Sequence, residues 1–144
     1  MKSLVTLVLL ALAALPARAE DDPKKALESL QGEWKMVEFF KEGNEEKDIA
    51  KAKVVIAGSK MTINLRGDKA EELTFAIDLK QKPATIDLTP PKKGGAEVVV
   101  KGIYKLEMDK LTICFGLDAK DRPTEFKSQK GTLVGMFVLE RVKK

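Results

Sequence analysis

Few side chains in this sequence could do chemistry. The chain of 144 residues has one tyrosine, one cysteine and no histidine. Without histidine the commonest general base and metal ligand are missing, and Ser-His-Asp and Cys-His arrangements are excluded. A site built from carboxylates or lysines remains possible, and the candidates for acid–base chemistry are Glu38, Tyr104 and Glu125. No catalytic constellation is evident among them, and we predict that the protein is not an enzyme.

Metal, phosphate and redox chemistry have little support. The residues Asp78, Asp87, Asp109 and Asp118 do not have metal-loop spacing, and the phosphate-cradling Gly-x-x-x-x-Gly-Lys pattern is absent. The single cysteine, Cys114, excludes an intramolecular disulfide and has no basic cluster beside it. We therefore predict an inert strand cysteine on the outer face of its strand, no metal and no cofactor.

The first residues have the pattern of a secretory signal peptide. Lys2 precedes an apolar run at residues 4–15, and Ala17 and Ala19 are the small residues of a cleavage site. A retained membrane anchor is the alternative, but the run is shorter than the ~20 apolar residues that a crossing needs. We predict a signal peptide at residues 1–19, export to the periplasm or the medium, and no stable membrane insertion after cleavage.

The mature chain, residues 20–144, has the size of one domain. Removal of Lys2 and Arg18 lowers the basic count from 26 to 24 against 22 acidic residues, so the net charge falls from +4 to +2. Acidic and basic residues are interspersed, and the basic stripe expected of a nucleic-acid surface is missing. We predict that the protein does not bind nucleic acid.

A short helix is predicted at the start of the mature chain. Asp22 is a candidate N-cap and Pro23 occupies the first helical position, while Leu27 and Leu30 share one face. Gly32 then ends the helix, and the pattern becomes extended. The helix is expected to lie against one end of the following β-structure.

The first predicted strand carries a carboxylate, that of Glu38, at a position that the alternation assigns to the apolar face. Alternation places Trp34, Met36 and Phe40 on one face, with Glu38 among them and Phe39 on the other face. Either a bulge near Glu38 and Phe39 turns the carboxylate outward, which we favour, or Glu38 faces the interior.

The remaining segments alternate between apolar and polar residues at short intervals, with turns between them. This pattern predicts an all-β domain with a short N-terminal helix, folded as a roughly eight-stranded up-and-down antiparallel β-barrel. A barrel of eight strands can be filled by its own side chains or can hold one small ligand. The predicted inner faces are apolar with Tyr104 as the main polar group, so a cavity would suit an apolar or amphipathic ligand.

Two features resemble known proteins. Gly32-x-Trp34 at the helix–strand junction, together with Arg141 in the last strand, resembles the lipocalin signature, which implies that Trp34 plugs one barrel end and Arg141 packs across it. Segments across the mature chain also resemble a bacterial family of small exported lipocalin-like domains, abundant in planctomycetes. That resemblance implies a barrel and export, and no particular activity. The matching segments are LQGEW (30–34), ATIDLT (84–89), GIYKL (102–106) with LTICF (111–115), RPTEF (122–126) and FVLER (137–141).

The loop at residues 122–126 concentrates charge, a proline and an aromatic between the last two strands. As part of a barrel rim it would be a candidate recognition site, with Arg122 and Glu125 as ligand contacts. The structural alternative is that Arg122 pairs with Glu125 and Phe126 plugs the core.

Three functional hypotheses remain. The leading hypothesis is an exported protein that binds a small apolar or amphipathic ligand, with Glu38, Tyr104, Arg122 and Glu125 as candidate contacts. The second is a filled barrel that serves as a scaffold or inhibitor and contacts an envelope partner that the sequence does not identify. The third is an enzyme that uses one of the three candidate acid–base residues in a cavity.

Overall fold

Alternating apolar residues form β-strands along most of the chain. The computed structural model describes residues 22–48, 52–64, 70–91, 95, 97–118 and 120–143, so the predicted signal peptide lies outside the described residues. These ranges contain one helix and nine strands. In chain order they are α1 (Pro23–Leu30), β1 (Gly32–Lys41), β2 (Asn44–Glu45), β3 (Lys53–Ala57), β4 (Lys60–Asn64), β5 (Ala70–Asp78), β6 (Thr85–Thr89), β7 (Val100–Glu107), β8 (Lys110–Gly116) and β9 (Val134–Arg141).

The strands close into a barrel. Each strand from β3 to β9 pairs antiparallel with the next, and β1 pairs with β3 on one side and with β9 on the other. The closed ring therefore has eight strands, and the two-residue strand β2 extends it beside β1. Closure leaves no long edge in the ring. The predicted all-β, up-and-down antiparallel barrel with a short N-terminal helix is confirmed.

Helix α1 begins as the sequence indicates. The Asp22 carboxylate accepts a 3.0 Å hydrogen bond from the Lys24 amide, and Pro23 occupies the first turn, where its missing N–H costs nothing. Leu30 is buried at the end of the helix, and Leu27 packs against the barrel core. The helix therefore lies across the end of the barrel at which β1 begins.

A β-bulge interrupts β1 at Val37. Met36 pairs with Leu139 and Glu38 pairs with Val138, so one extra residue of β1 is left without a partner in β9. The bulge reverses the alternation from that point. Glu38 is consequently exposed, as the favoured alternative predicted. The expectation that Phe40 shares the inner face was wrong: Phe39 packs against the core instead.

The interior of the barrel is occupied by its own side chains. All eight strands of the ring contribute to one continuous cluster of buried residues. The cluster comprises Leu30, Trp34, Met36, Ala52, Val54, Ile56, Met61, Phe75, Ile86, Leu88, Tyr104, Leu111, Ile113, Phe137 and Leu139. Four inward-facing side chains towards the opposite end from α1 are only partly buried, namely those of Phe39, Ile63, Val100 and Phe115.

Candidate functional site

Trp34 and Arg141 meet at the closed end of the barrel. Trp34 is fully buried, and its indole N–H donates a 2.9 Å hydrogen bond to the carbonyl of Leu30, the last helical residue. The guanidinium carbon of Arg141 lies 4.3 Å from the centre of the indole ring, which is a cation–π contact. The side chain of Trp34 is therefore committed to packing between α1 and the barrel.

The rest of the Arg141 side chain holds neighbouring segments. Its Nη1 and Nη2 atoms donate hydrogen bonds of 2.8 and 2.6 Å to the carbonyls of Gln31 and Ser29, and its Nε lies 3.3 Å from the Asp109 carboxylate. Gly32 passes beneath it with a φ of +120°, where a Cβ would lie 3.5 Å from Arg141 Nη1. The described contacts of Trp34 and Arg141 at this end of the barrel are therefore structural.

Tyr104 and Glu38 lie on opposite sides of the barrel wall. Tyr104 is buried in the core cluster, and burial raises the pKa of its phenol above the ordinary value. No hydrogen bond joins its hydroxyl to the residues that the structure describes. Glu38 faces outward, in line with Thr112 and Val138 on neighbouring strands. The structure therefore does not combine these two candidate residues into one site.

The loop that carries Arg122 lies on the outer face of the barrel. We call residues 120–128 the strap. Arg122 Nη1 donates a 2.7 Å hydrogen bond to the Gly102 carbonyl on β7, and its Nη2 lies 2.7 Å from Asp87 Oδ1 on β6. Asp87 Oδ1 makes no hydrogen bond to the described residues, so this contact is an ion pair. The structural alternative in which Arg122 pairs with Glu125 was wrong: the acidic partner of Arg122 is Asp87, and Glu125 lies near Lys127.

The second half of the strap covers Cys114. The Cys114 thiol lies on the outer face of β8 yet is buried, and it donates to the carbonyls of Glu125 and Lys127 at 3.4 and 3.7 Å. Burial raises the pKa of this thiol, although hydrogen bonds from backbone amides oppose the shift. Phe126 is half-buried with Lys105 Nζ 4.8 Å from its ring centre. Phe126 therefore sits outside the barrel, and the expectation that it plugs the core was wrong.

Two grooves of about 320 Å³ each flank the strap. Both are lined by Lys127 and Gln129. The first groove has mixed charge along the connection between β8 and β9. Its lining is completed by Asp118, Asp121, Arg122, Pro123, Thr124, Glu125, Thr132, Leu133 and Val134. The second has an apolar floor beside β1 and β9, and it is completed by Phe40, Gly43, Phe126, Ser128 and Met136.

Some residues that line the grooves were predicted as candidate ligand contacts from the sequence, and others were not. Arg122 and Glu125 line the first groove, as part of an outer surface instead of a barrel rim. Phe40 and Met136 were not predicted as site residues, since both occupy apolar strand patterns that suggest a core. Only the bulge at Val37, which reverses parity, reveals that Phe40 faces outward.

These features define the class of the protein as an eight-stranded, antiparallel, up-and-down β-barrel with a helix across one end. Comparison of the chain with protein-family models, curated proteins and solved structures finds no match in any of the three. Within the described ranges, no group of three or more Asp, Glu or Cys side chains could hold a metal ion. The described helix is too short to cross a membrane.

Proposed function

We propose that the protein is an exported, filled β-barrel that binds a protein partner on its outer surface. The observation that carries this proposal is the continuous buried cluster to which all eight strands of the ring contribute. Buried side chains that pack against one another across the interior leave little room for a drug-sized molecule among them. Recognition would then use the outside, where the structure has two grooves beside the strap.

The chemistry of the grooves suits a peptide segment of a folded or extended partner. Phe40, Phe126 and Met136 form an apolar floor in one groove, and aromatic and methionine side chains are common contacts in protein interfaces. Leu133, which lines the other groove, is exposed at 51%. Lys127, at the border of both, can contact a carboxylate because its own partner, Glu125, is 3.9 Å away and exposed.

Export and membership in the lipocalin-like family belong to the same proposal. The sequence at residues 1–19 and the resemblance of the five segments support them. Export predicts that protein recovered from the periplasm or medium of the native host begins at Glu20. N-terminal sequencing that finds Met1 in that fraction would contradict cleavage.

Photo-crosslinking tests the proposed interface. A photoreactive amino acid that replaces Gln129 reports on both grooves, because Gln129 lines each of them. The control carries the same photoreactive amino acid in place of Thr74, which is exposed on the outer face of β5. Irradiation in the native host should give a discrete adduct from Gln129 and none from Thr74. Phe40→Asp should abolish the adduct because it places a charge on the apolar floor. Equal adducts from both positions, or none, would contradict the proposal.

One observation favours a second function, the binding of a small apolar or amphipathic ligand. Phe39, Ile63, Val100 and Phe115 are only partly buried towards the end of the barrel that α1 does not cover. An apolar group could contact them while a polar group stays in water. Such a ligand would be retained by the purified protein, whereas a partner on the outer surface would leave the polypeptide bare.

Catalysis is not part of the proposal. Glu38 lies on β1, Tyr104 on β7 and Glu125 in the strap. The barrel wall separates Tyr104 from the other two, since Tyr104 is inside and they are exposed. General acid–base chemistry needs such groups within hydrogen-bond reach of one substrate.

A further inference from the structure

The strap covers an apolar patch that is separate from the barrel core. Ile103 on β7, Cys114 on β8 and Val138 on β9 point outward, yet they are exposed by only 2%, 0% and 4%. None of the three belongs to the interior cluster. Outward positions of a small soluble barrel normally contact water. The carbonyls of the strap that accept from the Cys114 thiol place the strap over this patch.

The attachment of the strap to the barrel depends on side chains. The Arg122 guanidinium contacts Gly102 and Asp87, and Lys105 lies over Phe126. At the far end of the strap, the Ser128 hydroxyl accepts a 2.9 Å hydrogen bond from the Gly43 amide and donates a 2.8 Å hydrogen bond to the Val134 carbonyl, so this end is the hinge. Within the described residues, no backbone–backbone hydrogen bond joins residues 120–128 to a strand. Ladder hydrogen bonds between β8 and β9 therefore need not break when the strap moves.

The two ends of the segment between β8 and β9 are joined to each other by a contact that does not involve the strap. The Leu117 amide donates a 2.8 Å hydrogen bond to the Leu133 carbonyl, which joins the two ends of the connection next to the β8–β9 ladder. Segments with few backbone hydrogen bonds to the rest of the fold open locally at a small fraction of the global unfolding free energy.

We propose that the strap is a cover that opens as a unit while the barrel stays folded, and that Arg122 controls its opening. Opening uncovers the patch formed by Ile103, Cys114 and Val138. It also dismantles both grooves, because strap residues line each of them. A partner that occupies a groove consequently holds the strap closed. The opening itself does not depend on the existence of such a partner.

Alkylation of Cys114 measures the opening directly, since the thiol is buried when the strap is closed. The full mature chain is treated with iodoacetamide at fixed pH, and the modified mass is followed with time. Arg122→Ala should speed labelling about 10-fold to 100-fold, the factor that corresponds to loss of a hydrogen bond to a charged group. Arg122→Lys, which keeps the charge but not the planar fork, should give an intermediate rate.

Two controls separate strap opening from general destabilisation. Lys60→Ala removes a cation from the exposed 3.5 Å pair with Glu72 on β4 and β5, and its labelling rate should match that of the native sequence. The rate for Arg122→Ala should also depend only weakly on low urea concentrations, because local opening exposes little surface. If Arg122→Ala does not fold, Asp87→Asn provides the same comparison.

Two results would overturn the proposal. The first is labelling that is no faster in Arg122→Ala, Arg122→Lys and Asp87→Asn than in the native sequence. The second is a urea dependence of labelling as steep as that of global unfolding, which would mean that Cys114 is reached only when the barrel unfolds.

Discussion

At the scale of single residues, Arg141 joins three parts of the closed end. Its guanidinium contacts the Trp34 ring, two carbonyls near the end of α1 and the Asp109 carboxylate. Arginine suits this position because its planar group can stack on a ring and still donate in several directions. A lysine would keep the charge and lose most of these contacts.

Trp34→Ala should lower the free energy of unfolding by about 3–5 kcal/mol, because it leaves a cavity and removes the ring beneath Arg141. Urea unfolding followed by circular dichroism measures the loss. Trp34→Phe should cost less, since it keeps an aromatic ring and gives up the hydrogen bond to Leu30. Unchanged stability in Trp34→Ala would contradict the role of this residue as a plug.

We expect the free energy of unfolding to fall at alkaline pH because Tyr104 is buried. Burial raises the pKa of Tyr104 above its ordinary value of 10.0. Below pH ~9 the phenol is neutral in both the folded and the unfolded chain, so the shift does not affect stability there. As the pH rises further, the unfolded chain releases the proton first, and the free energy of unfolding falls.

Tyr104→Phe removes this contribution without changing the shape of the ring. Its free energy of unfolding should therefore fall less than that of the native sequence between about pH 9 and 12. Urea titrations at each pH provide the comparison, and the titration of Cys114 is common to both proteins. Parallel curves would show that the phenol titrates alike in the folded and unfolded chains.

At the scale of elements, one inserted residue decides which surface β1 presents. The bulge at Val37 turns Glu38 to solvent, brings Phe39 into contact with the core and leaves Phe40 for the outer groove. The apolar floor of that groove exists because the alternation is reversed there.

The bulge predicts unequal losses of stability for substitutions at two adjacent residues, Glu38 and Phe39. Phe39→Ala should destabilise the barrel by about 2–4 kcal/mol, because it removes a ring that packs against the core. Glu38→Ala should stay within about 0.5 kcal/mol, since the carboxylate is exposed. Thermal and urea unfolding of both variants test this order. A larger loss for Glu38→Ala would mean that the bulge is misplaced.

At the scale of the whole molecule, local sequence patterns predicted the barrel but not the side-chain contacts between segments that are distant in the sequence. Period-two alternation and turn residues are local signals, so the strands and the capped helix could be read from the sequence. The partner of Arg122 is Asp87, which lies 35 positions earlier and becomes adjacent only after β6, β7 and the strap have assembled. The bulge was predicted near Glu38, but its consequence for Phe39 and Phe40 depended on its placement at Val37.

The strap shows why the candidate site was placed on the wrong surface. A charged loop between two strands was expected at the rim, because loops of a barrel usually end there. Its return over the outer face depends on the buried patch around Cys114, whose apolar outward positions look like ordinary strand residues in the sequence. The alternation of β8 alone could not show that a second layer covers it.

A filled barrel that recognises its partner on the outer surface should carry no small molecule inside. Native mass spectrometry of residues 20–144, purified gently from the native host, measures whether it does. Because the interior cluster leaves little room for a guest, we expect the bare polypeptide mass, and the same mass after exposure to a lipid extract. A reproducible added mass that is lost on denaturation would contradict it and identify the protein as a carrier of a small ligand.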